Sequence, residues 1–340
     1  MEQESDRLRL ELSWDSTVNS EELVIFDEAQ CSEDLFPRLR GVIDEDRKRN
    51  GRFLLLGSVS PALMNNIFDS LAGRLAIVEL EPFNLREQNY SQKMHWLCGG
   101  YPDGGILKSG QFPRWQKDYL QLLAQRDLPE WGLPAKPSTT QRFMKMLAAT
   151  HGNQWNASQL GKSLGLSYHT INEYLDFLEG AFLLRRLQPF STNMIKRLVK
   201  SPKVYWRDSG LLHALMNVND EDTLLSQPWV GNSWEGYVIQ NIISFFNANG
   251  TSVEPYYLRT SDGYEIDLLF DLNGERWGIE IKLSALPKVD DLKRLQKIGK
   301  MVGCTHFALV TSSGKTAVSE NVYTGPLKDL LKRFQETSLS

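Results

Sequence analysis

Asn273-Gly274 separates two runs of strand-like residues, near 264–271 and 276–283. Asn-Gly in that setting signals a two-residue type I′ hairpin turn. A turn closed in this way sets Asp267 opposite Glu280 and Glu265 opposite Lys282. The other side of the ribbon then carries only apolar pairs, Ile266 with Ile281, Leu268 with Ile279 and Phe270 with Trp277. Two carboxylates placed directly across a strand pair repel each other. A divalent cation offsets that repulsion, and Mg²⁺ suits it because it takes hard oxygen ligands from one or two carboxylates and keeps several waters. Lys282 emerges beside Glu280 on the same face, where it can orient an attacking water or stabilise charge developing on a phosphate. Glu235, early on an amphipathic helix from Trp234 to Phe246, is a further candidate ligand. The expected chemistry is metal-assisted phosphodiester hydrolysis. A plainer alternative fits the same spacing: a Glu265–Lys282 ion pair on a solvated sheet face, with Asp267–Glu280 as a tolerated clash.

A second group of carboxylates lies near the N-terminus. Val24-Ile25-Phe26 is an apolar strand delivering Asp27 and Glu28 at its end. This is the Walker B arrangement, in which one acid helps hold Mg²⁺ and the other polarises a water for attack on the γ-phosphate. Ser58, ending the next strand, sits where a sensor group would, and Arg74 is a candidate arginine finger; its alternative role is to cap a helix C-terminus. The phosphate cradle itself is not found. G-x-x-x-x-G-K-[ST] occurs nowhere before Asp27, and at Gly314-Lys315-Thr316 the position of the first glycine is Leu309.

A third group concerns nucleic acid. Asn156 and Gln159 form a capping box, Gly165 breaks the helix, Ser167 caps the next, and Phe182-Leu183-Leu184 reads as a strand, the layout of a winged helix-turn-helix. Tyr168, His169 and Asn172 would then face a DNA groove. Seven basic residues and no acidic one lie between Arg185 and Arg207, among them Lys196, Arg197, Lys200 and Lys203, which could hold phosphates or simply form a solvated strand.

These groups must be positioned by a chain of 340 residues, long enough for two or three domains. Its 41% hydrophobic and 24% charged residues are ordinary for a globular protein. No apolar run approaches a membrane span, and Met1 to Leu12 is too polar for a signal peptide. Three scattered cysteines exclude a disulfide framework and suit a reducing, cytoplasmic setting. The net charge of −4 hides an acidic start, with fourteen Asp/Glu against seven Lys/Arg in the first fifty residues. Apolar strands at Leu23–Phe26, Phe53–Leu56 and Leu75–Val78, with helices near 33–49 and 61–72, predict an α/β layer. Gly/Pro-broken helices follow over 88–136. The C-terminal region is expected to hold the Trp234 helix, strands near 255–259, 264–271, 276–283 and 307–311, and helices near 289–300 and 326–335.

Two resemblances run through these residues. Glu235, Asp267 and Glu280-Ile281-Lys282 resemble the E…D…ExK signature of the restriction-endonuclease-like (PD-(D/E)xK) nucleases. That resemblance implies metal binding by Asp267 and Glu280 and catalytic assistance from Lys282. The string Val24 to Glu28, with Gly57-Ser58, Gly73-Arg74, Glu79 to Phe83 and Arg86-Glu87, resembles AAA-type ATPases that carry a C-terminal domain of unknown function, family 4143. So do Tyr174 to Glu179, Lys200 to Tyr205, Asp208 to Leu212 and Trp234-Glu235. The resemblance implies ATP as a cofactor only with an intact N-terminus. Members of that family carry the P-loop before the Walker B strand, so the expectation here is a truncated product or a member without nucleotide hydrolysis.

The fold class expected is α/β: a partial P-loop NTPase sheet of AAA type over 1–87, a helical lid and linker over 88–137, a winged helix over 138–207 and a restriction-endonuclease-like domain over 208–340. The expected partner is DNA or another protein, self-association included, with no membrane. The expected function is nucleic-acid associated, with Mg²⁺-dependent nuclease action at Glu235, Asp267, Glu280 and Lys282. The alternative is a non-catalytic binding or regulatory protein whose acidic sites are relics.

Overall fold

The computed structural model describes residues 3–32, 34–57, 71–191, 198–286 and 288–338. They divide into two compact units, the first of residues 1–80 with 130–133 and the second of the remainder.

The first unit holds α1 (Glu4–Val18), β1 (Val24–Phe26), α2 (Leu35–Glu45) and β2 (Phe53–Leu55). β1 and β2 pair in parallel, Val24 against Phe53 and Phe26 against Leu55. Val18, Phe26, Leu35, Phe36, Leu39 and Leu71 pack beneath them. The strand expected at Leu75–Val78 does not form, and Val78 is 87% exposed. A β-branched run becomes a strand only when a neighbour accepts its ladder bonds, and propensity yields where none is offered. The helix expected near 61–72 lies outside the described residues, apart from its last positions.

The second unit begins with helices α3 (Gln92–Cys98), α4 (Arg114–Leu122), α5 (Pro137–Ala149), α6 (Ala157–Leu164) and α7 (Tyr168–Gly180). Asn156 caps α6 by accepting from the Gln159 N–H at 3.0 Å, and Gly165 ends it with φ +69°. Ser167 caps α7 through the Thr170 N–H at 3.1 Å. The hairpin of β3 (Leu184–Pro189) and β4 (Lys203–Trp206) follows, giving the expected order of helix, turn, helix and strand. β3 also pairs in parallel with β5 (Tyr256–Arg259), so these strands continue into the C-terminal sheet.

That sheet has eight strands in the order β4-β3-β5-β6-β7-β8-β10-β9, with β6 (Glu265–Leu272), β7 (Glu275–Lys282), β8 (His306–Thr311), β9 (Ala317–Val318) and β10 (Val322–Pro326). Between β4 and β5 come α8 (Ser209–Leu215), α9 (Glu221–Leu225) and α10 (Val230–Ala248). The parallel β7–β8 pair is joined by the crossover helix α11 (Val289–Met301). Helix α12 (Leu327–Ser338) closes the chain.

Both faces of the sheet are covered. α10 and α12 pack Ile242, Phe246, Leu330 and Phe334 against Leu268, Phe270, Trp277 and Ile279. α11 packs Leu295 and Ile298 against Leu258, Ile266, Leu269 and Phe307. From Ser233 to Phe246 every residue of α10 except Glu235 is buried, the pattern of a helix central to its domain.

Candidate metal centre

The hairpin closes in the expected register. Asn273 and Gly274 both take positive φ, +52° and +80°, as a type I′ turn demands. Leu268 pairs with Ile279 and Phe270 with Trp277, so one further step brings Asp267 against Glu280. The Ile281 N–H donates to Asp267 Oδ2 at 2.7 Å, which fixes the carboxylate across the strand pair.

On the other flank of β6 the ladder is irregular. Leu258 pairs with Ile266 but Tyr256 pairs with Leu269, so three steps of β6 match two of β5. The extra residue is a bulge, which turns the strand locally. It corrects two expectations. Ile266 joins the α11 core instead of continuing the apolar row of Leu268 and Phe270. Glu265 does not pair with Lys282. Its Oε1 lies 2.5 Å from Lys203 Nζ, and Oε2 accepts from Arg259 at 3.3 Å. Lys282 instead donates to Glu280 on its own strand, at 2.5 Å. Nor is the acidic face a wet one, because α11 lies over it and Asp267 is only 7% exposed.

Glu235 projects from α10 into the same region but is already engaged. Its Oε1 accepts from Lys203 Nζ at 2.8 Å and from the Tyr205 hydroxyl at 2.5 Å. Lys203 is the residue that sequence reasoning misplaced. Grouped with the basic run as a phosphate holder, it is a buried cation with a side chain 5% exposed. The available signal was its place at the head of Val204-Tyr205-Trp206, a wholly buried strand.

The electrostatics follow from this placement. Burial raises the Asp267 carboxyl well above the usual carboxylate range, and the charges of Glu280 and Glu235 raise it further against the pull of Lys203. Glu280 is raised by burial despite Lys282 beside it. Burial works against the Lys203 ammonium, yet Glu235, Asp267 and Glu265 outweigh it and hold that group above its ordinary value. Four carboxylates (Glu235, Glu265, Asp267, Glu280) thus share two ammoniums, with Arg259 more exposed at the rim. No group of three or more His, Cys, Asp or Glu side chains is gathered as a ready metal cage among the described residues. Asp267 and Glu280 remain as two hard oxygen donors in a site where carboxylates outnumber ammoniums, which matches the protein ligands Mg²⁺ takes when it retains water.

The other predicted residues are dispersed. Asp27 is exposed and its Oδ1 accepts from the Glu28 N–H at 3.1 Å; Glu28, at φ +50°, is bound by the side chain of Gln30. Arg74 is a tether, not a free finger: Nε and Nη2 donate to both oxygens of Asp44 at 2.8 and 2.9 Å, and Nη1 to Ala72 O at 2.9 Å. Those bonds hold the Asp44 carboxyl down to about 2. Ser58 lies outside the described residues.

On α7, Tyr168 is 54% exposed and His169 is exposed, but Asn172 is taken up by the Trp155 indole N–H, which donates to its Oδ1 at 2.8 Å. Past its first turn that helix carries Glu173, Asp176 and Glu179 and no lysine or arginine, so it offers no cation to a phosphate backbone. The basic run is largely spent within the protein. Arg186 pairs with Asp176 and Glu179, Arg185 and Arg207 reach Glu81, and Lys203 is buried. Lys196 and Arg197 lie outside the described residues. Among the described residues no helix is long and apolar enough to cross a membrane.

Comparison with known proteins finds three matched regions along the chain. Residues 2–89 match an AAA domain family, residues 89–222 a domain of unknown function (DUF8612) and residues 230–330 another (DUF4143). Two curated relatives, the uncharacterized proteins Rv2008c of Mycobacterium tuberculosis and Mb2031c of Mycobacterium bovis, are each 37% identical over 269 residues. That alignment covers 78% of this chain and 60% of theirs, so the chain spans well under two thirds of their length. The crystal structure of protein VC1899 from Vibrio cholerae aligns over 90% of this chain and 80% of its own at 14% identity, with a TM-score of 0.25 that supports no conclusion about fold. The chain therefore carries an AAA-type region at its N-terminal end and a domain of unknown function 4143 at its C-terminal end.

Proposed function

We propose that the C-terminal domain is a Mg²⁺-dependent phosphodiester-cleaving module of restriction-endonuclease-like type, attached to an AAA-type region and acting on nucleic acid in the cytoplasm. The observation that carries this reading is the buried Asp267–Glu280 pair with Lys282 alongside. Its two carboxyls are raised chiefly by burial, against the pull of Lys203 on Asp267 and of Lys282 on Glu280, at the positions where the resembling nucleases hold their metal. Asp267 and Glu280 would hold the ion. When bound, it would neutralise phosphate charge and acidify a water. Asp267 is kept in orientation by the Ile281 N–H. Lys282, with its side chain 37% exposed, is the cation of the pair that can reach a substrate phosphate or orient a water. In this reading the module grips its substrate through the hairpin region, because Arg185, Arg186, Lys203 and Arg207 of the winged-helix-like segment are internally paired. ATP has no role assigned to it in these 340 residues, whose sequence contains no P-loop.

A second reading has its own observation. Glu235 is bonded by Lys203 and Tyr205, as expected of a structural ion-pair network in a non-catalytic DNA- or protein-binding domain. Incubation of single-stranded, double-stranded and branched DNA and RNA with wild type and Asp267→Ala, in Mg²⁺ or Mn²⁺, separates the two. The nuclease reading expects metal-dependent cleavage lost in the variant. No cleavage of any substrate by the wild type, or equal cleavage by both, defeats it.

A further inference from the structure

Of the two lysines at this centre, Lys282 sits at the rim and has an established place in the proposed chemistry; Lys203 has none. Its backbone is held on two sides, by β3 through Leu187 and by a bridge to Gln154. The Pro202 carbonyl beside it accepts from the Trp155 N–H at 2.8 Å. The side chain therefore enters the acidic region from a fixed strand, with its ammonium 5.4 Å from the centre of the Tyr257 ring. There it takes Glu235 Oε1 and Glu265 Oε1, two carboxylates whose charges bear on the Asp267–Glu280 pair.

We propose that Lys203 is a built-in competitor of the divalent ion: its ammonium occupies the negative field of the site, withholds Glu235 and Glu265 as ligands and so sets metal affinity low. This rests on the reading of Asp267 and Glu280 as metal ligands. The physical argument is one of charge. With Lys203 present, four carboxylates face two ammoniums; without it they face one, and the attraction for a dication increases accordingly. A lysine is suited to this because its stem is flexible while its charge is compact. Metal entry and Lys203 act in opposition, so Lys203 offsets part of the site's negative charge without metal, and the centre fills only when divalent ion is plentiful.

The test is Mn²⁺ binding to the full chain, by calorimetry and by the shift in unfolding temperature, for wild type, Lys203→Met, Lys203→Arg and Asp267→Asn. Methionine keeps most of the stem's bulk and removes the charge. The expected result is Mn²⁺ affinity raised roughly tenfold or more in K203M and little changed in K203R, with a metal-free K203M that is less stable than wild type and regains stability on Mn²⁺ addition. If the wild type binds Mn²⁺ in a manner abolished by D267N but K203M binds no tighter, the competitor role is wrong while the metal site stands. If neither wild type nor K203M shows binding that D267N removes, the metal site itself is wrong, and the inference goes with it. If K203M fails to fold even in Mn²⁺, Lys203 is a structural strut and the proposal is overturned.

Discussion

Three histidines buried in the second unit should make it acid-labile, and His213 shows why. Its Nδ1–H donates to Leu97 O at 2.9 Å, and Nε2 accepts from the Ser233 hydroxyl at 2.7 Å. Ser233 Oγ in turn accepts from the Trp96 indole N–H at 3.0 Å, so a second proton on the ring would leave the serine hydrogen facing a donor. Burial pushes His213 down to about 4, likewise His95 to about 4, and His151 to about 3. Unfolded, each titrates near its ordinary value of 6.5. Below that value the unfolded chain takes up protons that the folded one refuses. The stability these groups confer is therefore full above about pH 6.5 and is lost as pH falls toward their folded values. Between about pH 8 and pH 5 the loss is about 2 kcal/mol for each histidine. Asp208, raised to about 6 by burial, and the raised Asp267 and Glu280 act in the opposite direction, so the net curve is not diagnostic. The difference between two proteins is. Urea unfolding of wild type and His213→Gln at the two pH values, in EDTA, should show the variant losing about 2 kcal/mol less than wild type on acidification. Parallel losses would refute the assignment of a neutral, titration-resistant His213.

Two further outcomes follow from the same coordinates. Asp267→Asn keeps an acceptor for the Ile281 N–H but removes a charge that burial and Glu280 disfavour. Metal-free at about pH 8 it should be more stable than wild type by about 1–3 kcal/mol, with the advantage fading as acid protonates the wild-type carboxyl, read by thermal or urea unfolding. Phe334 is wholly buried with its ring 4.9 Å from Trp277 and 5.0 Å from Phe246, so Phe334→Ala should cost about 3–5 kcal/mol by denaturant titration. A loss under 1 kcal/mol would mean that α12 is not docked on the sheet as described.

How much of this was readable without coordinates depends on sequence distance. The hairpin was legible because its turn residues, its alternation and its register are all local: positive φ at Asn273 and Gly274 leaves one closure, and the closure sets Asp267 against Glu280. The capped helices at Asn156 and Ser167 were legible for the same reason. Helix α1 was not, because Leu8 and Leu12 lie on its exposed side and only Val18 is buried, which gives no apolar stripe to read. The short β9 and β10 were missed because Gly325 and Pro326 interrupt a run of only five residues. The strand expected at Leu75–Val78 failed in the opposite sense: its apolar run was clear, but its ladder partner was not something that run could specify.

Charge pairing is the least local property of all, and it governs the site. Glu265 could be assigned to Lys282 from the hairpin alone only if β6 were regular on both flanks; the bulge against β5 is set by a strand whose pairing the hairpin does not encode. Lys203 is thirty-two residues from Glu235 and sixty-two from Glu265, and nothing in the string KSPKVYW indicates that its ammonium turns inward. Its inward turn follows from topology. β4 ends the sheet beside β3, β3 lies beside β5, and the Glu235 side chain of α10 comes within reach of the β4 backbone. A lysine there meets carboxylates from both a helix and a strand, and desolvating it is tolerable only because it does. The same reasoning dissolves the apparent basic stripe: Arg185, Arg186 and Arg207 each find acids from other elements, so a run of positive charge in sequence becomes a set of internal ties in space. The half-exposed cation beside the raised carboxylates is Lys282, and that contrast, more than the count of basic residues, is why the proposed chemistry is placed at the β6–β7 hairpin.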